Sequence, residues 1–178
     1  MPSPFTAGAM GSPGVVAGAL LTVQVAPTPV TGGAFADGDA LGSTGLTLTN
    51  AGLYLNYTAQ LLGIDVFDTD NQSAALDLLF FNALTGITVT NNAALVLTAA
   101  LYNSRYVGRV SLGVSDYTTY DPAGTPYAIG SVPQAQLGAM FKAVGVSFFC
   151  VPVVRVPPAG TGPTYTVAPS FKFTFLRY

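Results

Sequence analysis

Short alternating runs, broken by Gly, Pro, Asn and Asp, recur along most of this chain. Within Val15 to Ala26, Leu21, Val23 and Val25 alternate with Thr22 and Gln24, the period of two that gives a strand one buried face. Pro27-Thr28-Pro29 ends that strand, and Thr31 to Gly45, with five Gly and two Asp, reads as a loop. Leu46 to Thr49 and Leu53 to Thr58 alternate again. Leu61 to Phe67 and Ala75 to Asn82 flank the polar run Asp68 to Ser73, which predicts a hairpin with a loop of about six residues.

One segment departs from this period. Ala93 to Leu101 has helical character, with Thr90, Asn91 and Asn92 placed to cap it, although the β-branched Val96 and Thr98 weaken a helix. Strand patterning resumes from Arg105 to Val114 and from Tyr127 to Val132, weakly from Leu137 to Ala143, and strongly from Val146 to Val156. Pro152 has no N–H for a ladder, so that last strand is expected at an edge or with a bulge. Pro157, Pro158, Gly160, Gly162 and Pro163 mark a final hairpin loop, and Ser170 to Tyr178 sets Phe171, Phe173 and Phe175 on one face. About eight or nine short strands and at most one short helix predict an all-β fold, a jelly-roll-like antiparallel β-sandwich. The Pro- and Gly-rich opening reads as an extended arm over residues 1–14, followed by a single sandwich domain over residues 15–178.

Composition moves the question from fold to surroundings. Of 178 residues, 50% are hydrophobic and 8% are charged, against a usual charged fraction of about 25%. A soluble monomer carries ionisable side chains at roughly 25–35% of its surface positions, so something other than water is expected over part of this surface. A mean hydropathy of +0.50 raises the membrane reading. Pro2, Pro4, Pro13, Pro27 and Pro29 break the charge-free opening, and no apolar run reaches the roughly 18 residues of a spanning helix. The first basic residue is Arg105, so the basic start of a secretory signal is missing. A membrane barrel calls for many alternating segments of about ten residues, and the chain lacks them as well as Trp. No membrane partner is expected.

Charge placement disfavours nucleic acid. Residues 1–104 hold six Asp and no cation, whereas Arg105, Arg109, Lys142, Arg155, Lys172 and Arg177 in the remainder accompany only Asp116 and Asp121. Scattered cations cannot neutralise a run of phosphates. An acidic first part facing a basic second part, in this copy or a neighbouring one, suits the asymmetry better than nucleic acid does, and a chance distribution of fourteen charges accounts for it equally well.

The missing residue types limit the chemistry. With no His and no Glu, neither a nucleophile–His pair nor a His-ligated metal site can be built. The single Cys, Cys150, has no partner thiol and sits in the apolar run Val146 to Val151, where it reads as a buried small side chain. Asp65, Asp68 and Asp70 with Asn71 form the one carboxylate cluster. It superficially resembles a calcium loop, but the sixth position is Ser73 instead of Gly and the twelfth is Leu79 instead of Glu. A turn whose Asp and Asn side chains bond the local backbone explains the same residues. Asp65 and Asp77, on the two strands of the expected hairpin, are placed to pair with Arg. Asn56-Tyr57-Thr58 and Asn71-Gln72-Ser73 match the glycosylation pattern, which carries little weight without an export signal. The nine Tyr are spread along the chain and suit core or contact roles better than a sugar site. No catalytic residue, cofactor site or metal site emerges.

Several runs carry a resemblance: Leu62 to Asn82, with its core Ile64-Asp65-Val66-Phe67-Asp68-Thr69-Asp70-Asn71, then Thr90-Asn91-Asn92-Ala93-Ala94, Tyr106-Val107-Gly108-Arg109-Val110 ahead of Asp116-Tyr117, Leu137 to Ala143, and Phe171 to Arg177. Their order over roughly residues 60–178 resembles small virion proteins of tailed bacteriophages, the jelly-roll cement or decoration proteins of icosahedral capsids. The first 60 residues take no part in it. The resemblance implies a structural virion protein without catalytic residues. It would be made in the host cytoplasm and bind the outside of the capsid as a homodimer or homotrimer, bridging copies of the major capsid protein. The alternative expectation is a receptor- or glycan-binding head-fibre or adhesin domain on a virion. An enzyme is the least supported reading.

Overall fold

The closing strand shows how alternation makes the interior. In the computed structural model, which describes residues 19–28, 33–51, 58–133, 137, 140–142, 147–158 and 160–177, strand β10 (Ser170–Arg177) buries Phe171, Phe173 and Phe175 completely and turns Lys172 to solvent. Burying one such ring contributes roughly 1.5–3 kcal/mol. On one flank β10 pairs with β1 (Ala19–Val25), on the other with β3 (Thr58–Asp68), and the sheet continues through β7 (Tyr127–Ser131) to β6 (Tyr117–Tyr120). A short strand, β8 (Met140–Lys142), pairs with the first residues of β3. Opposite this six-stranded sheet lies a four-stranded one, in the order β2 (Leu46–Leu48), β9 (Phe148–Arg155), β4 (Ala75–Phe81) and β5 (Tyr106–Leu112). All pairings are antiparallel, and one short helix, α1 (Ala99–Arg105), lies between β4 and β5. The chain is thus an antiparallel β-sandwich with a single short helix among the described residues.

The two sheets share one core. Ile64 and Val66 of β3 and the three Phe of β10 meet Leu76, Leu78 and Phe80 of β4 and Phe148 and Cys150 of β9. Phe80 stands edge-on to Phe173 at 6.0 Å, a favoured arrangement of ring quadrupoles. Gly130 has a specific purpose in β7: a Cβ there would lie 2.7 Å from the Tyr117 ring, so its bareness lets that ring fold inward.

A second apolar cluster lies outside the sandwich. Phe81, Val151 and Val153 face away from the main core and are covered by Ile87, Leu84, Leu95, Leu97 and Leu101 from the connection between β4 and β5. The predicted loop at 31–45 contributes too, since Phe35 and Leu41 enter the main core and Ala40 the second cluster. Gly38 N–H donates to Val154 C=O at 2.9 Å and Val154 N–H to Asp39 C=O at 2.8 Å, binding this loop to β9.

Several sequence expectations need correction. Asp68 to Ser73 does not close a hairpin, because β3 and β4 belong to opposite sheets and the turn carries the chain across the sandwich. The Pro- and Gly-rich segment after Val156 likewise joins β9 in one sheet to β10 in the other. Strand β9 is neither an edge nor bulged against β4. Pro152 is tolerated because its carbonyl accepts from Leu41 N–H at 2.9 Å. An extended residue points N and C=O to one flank, so the missing N–H faces this loop and not β4. The helix starts at Ala99, not Ala93. Thr98 is its N-cap, with Oγ1 accepting from Leu101 N–H at 3.3 Å, the role that a β-branched hydroxyl residue prefers to a helix interior. Asn91 and Asn92 instead hold the 38–42 loop: Asn91 Oδ1 accepts from Gly42 N–H and Asn92 N–H donates to Ala40 C=O. Strand β6 was not expected. The arm at 1–14 and the strand at 53–58, except Thr58, lie outside the described residues.

Candidate functional site

The carboxylate cluster is a structural staple. Asp68, only 1% exposed, accepts from Asp70 N–H at 3.1 Å and from Ser73 N–H at 2.8 Å. Burial pushes its carboxyl above the usual range, against those backbone donors, which favour the anion. Asp70 reaches across to the segment before β10, accepting from the N–H groups of Thr166 and Val167 and from the Thr166 hydroxyl. Burial raises its pKa, but the Val167 and Thr166 donors together outweigh burial and the group is held low. Gln72 Oε1 accepts from Thr164 N–H at 3.0 Å, and Asn71 sits at φ 51°, a left-handed turn position. The expected Asx-type turn is present, extended by a clasp to residues 164–167. Among the described residues no group of three or more His, Cys, Asp or Glu could hold a metal ion, and no helix is long and apolar enough to cross a membrane.

The charge asymmetry is used within the chain. Arg109 and Arg155 both approach Asp77, at 3.5 and 3.6 Å, Arg155 also meets Asp37 at 3.2 Å, and Lys172 meets Asp65 at 3.6 Å. Each pair joins an Asp from the first part to a cation from the second. Asp77 takes the expected Arg, whereas Asp65 takes a Lys. Asp65 and Asp77 also lie on opposite outer faces, because their strands are in different sheets. Cys150 is fully buried and its thiol pKa is pushed up by burial, which makes it unreactive.

The outer face of the six-stranded sheet exposes both apolar and aromatic side chains. Strand registers arrange its outward side chains in transverse rows. Leu20, Leu176 and Gln60 form the row at one end, and Thr22 and Thr174 the next. Gln24, Lys172, Asp65 and Ser131 form a polar row, followed by Ser170, Phe67, Ile129 and Thr118. Tyr127 and Tyr120 close the series. Phe67 and Tyr127 lie 5.2 Å apart and Tyr127 stacks on Tyr120 at 5.4 Å, giving a continuous row of three rings. Phe67 and Tyr120 are 42% and 45% exposed, too open for core residues. A groove of about 360 Å³ runs beside Phe67, between the polar and the aromatic rows.

Sequence reasoning missed this row. Alternation places Phe67 on the face of Asp65, which was a usable signal, but Tyr120 and Tyr127 join it only through the pairing of β6, β7 and β3. Separation along the chain was taken for separation in space. No protein-family model, curated protein or solved structure matches the chain.

Proposed function

We infer that this chain is a cement, or decoration, protein of a tailed-phage capsid, bound to the outside of the shell and to further copies of itself. The observation that carries the reading is the six-stranded sheet, unguarded among the described residues. Its edge strand β1, Ala-Leu-Leu-Thr-Val-Gln-Val, has no charge and no Pro, and among the described residues it pairs only with β10. The opposite edge, β6, is Tyr-Thr-Thr-Tyr. Monomeric proteins protect such edges with Lys, Pro or bulges. Leu20, 66% exposed, stands at the open end of β1 beside Leu176. An apolar edge and end suit a permanent assembly, whose buried contacts resemble a domain interior, and the order of sequence runs that resembles phage decoration proteins points the same way.

The mechanism is mass action. A protein that binds the assembled shell and not its separated subunits stabilises the shell by its binding free energy, repeated over many copies. Purified empty shells of the phage, mixed with the protein, should bind it at a fixed stoichiometry and melt at a higher temperature in scanning calorimetry. The free protein should sediment as a dimer or trimer at micromolar concentration. Leu20→Lys should weaken shell binding without unfolding the domain. A protein that sediments as a monomer and leaves shell melting unchanged would refute the reading.

A further inference from the structure

We propose that the part of the bare face where the polar row meets the aromatic row is a binding site for a neutral glycan, with a hexose unit seated in the groove beside Phe67. The inference is independent of the capsid reading, because it uses the opposite end of the face from Leu20 and Leu176.

A hexose offers an apolar C–H face and a rim of hydroxyls, and the groove offers the counterpart of each. Phe67 and Ile129 line its apolar side, while Gln24, Asp65, Ser170 and Lys172 line the other. Aromatic rings pack against C–H groups. Carboxylate and amide oxygens accept from hydroxyls, and an ammonium donates to them. Few polar groups converging on an apolar, concave surface is the usual make-up of a small-ligand site.

Charge selects the class of sugar. Asp65 and Lys172 face each other at 3.6 Å with half of each side chain exposed, too far for a tight hydrogen bond and therefore open to bridging by a hydroxyl. Their charges cancel, so the groove has no net attraction for a sialylated or uronic-acid glycan. The polar groups are also held in place. Ser131 hydroxyl donates to Asp65 at 2.9 Å and Gln24 amide to Ser170 at 3.0 Å, while Tyr127 backs Phe67 and Tyr120 backs Tyr127. All seven residues that line the groove, Val66 included, stand on paired strands, which lowers the ordering cost of binding. The ring row leads away from the groove, so a second sugar unit has a platform to follow.

The test is saturation-transfer NMR and titration of the full chain with maltohexaose, cellohexaose, mannohexaose and a polygalacturonate hexamer as the acidic comparison. At least one neutral hexamer should bind with millimolar or tighter affinity, with transfer strongest to its C–H protons, and the acidic hexamer should bind more weakly. Phe67→Ala and Tyr127→Ala should each weaken binding roughly tenfold, and Asp65→Asn should weaken it less. Val96→Ala, on the far side of the molecule, should change nothing. Tyr120→Ala, at the exposed end of the row, gives a second ring variant should Phe67→Ala fold poorly by circular dichroism. Absence of binding by all neutral hexamers at about 10 mM, or binding indifferent to the ring variants, overturns the proposal. So does a Phe67→Ala variant that lowers the oligomeric state, which would assign the ring row to a contact between copies.

Discussion

The outward faces of the two sheets differ in what lies over them. On the four-stranded sheet, Phe81, Val151 and Val153 point away from the core and are roofed by the β4–β5 connection, which brings Ile87, Leu84 and Leu97 over them. On the six-stranded sheet no described segment lies over Phe67, Tyr120 or Leu20, and these stay exposed. The strands differ accordingly. Strand β9 reads Phe-Phe-Cys-Val-Pro-Val-Val and β4 ends Leu-Leu-Phe-Phe, nearly continuous apolar runs buried on both sides, whereas β10 and β1 alternate apolar and polar except at their paired end, Leu20 and Leu176. Alternation of this kind marks a sheet with one face left uncovered by the described residues, and here that face carries exposed rings beside a single Asp65–Lys172 pair.

The comparison can be broken in order of effect. Phe81→Ala, under the roof, should cost about 3–5 kcal/mol in urea unfolding, as a large core truncation does. A loss under 1 kcal/mol would mean that the connection does not bury that face. Thr98→Ala, which removes the cap of the helix in that roof, should cost about 1 kcal/mol in the same assay. Phe67→Ala on the bare face should cost less than about 1 kcal/mol, with its larger effect appearing on binding. A stability loss equal to that of Phe81→Ala would erase the distinction between the faces.

The turn that joins the two sheets gives a pH test of opposite signs. Asp68 has a raised pKa in the folded protein, so the folded state holds the extra proton and stability declines as pH rises through that pKa. Asp70 is held low, so its stabilisation is present above the unfolded value and lost as pH falls through the folded one. Relative to the parent, the stability of Asp68→Asn should therefore rise with pH above about pH 4, whereas that of Asp70→Asn should fall with rising pH below about pH 4 and be level above it. Urea midpoints across both ranges would show parallel trends if the two carboxylates shared one environment.

Local reading reached far in some places. The burial of Phe171, Phe173, Phe175 and Cys150, the limits of β4, and the Asx character of the Asp68 turn follow from period, propensity and side-chain chemistry within a few residues. Other features were out of reach. The polar run at 68–73 suits a hairpin and a crossing between sheets equally well, since both satisfy the same local hydrogen bonds. The cap at Thr98 competes with other hydroxyl and amide residues nearby, and the winner is set by where Leu101 and its neighbours must pack.

Legible in the sequence alone are most of the described strands, though not β6, the buried side of an alternating strand such as β10, and a chain poor in ionised groups. These depend on the alternation of Cβ atoms along an extended chain and on composition, both properties of neighbouring residues. The tertiary structure decided which strands share a sheet, which face receives a roof, and that Phe67, Tyr127 and Tyr120 meet. Those outcomes rest on burial between segments far apart in the chain, where many pairings satisfy the local pattern and only their combined packing selects one.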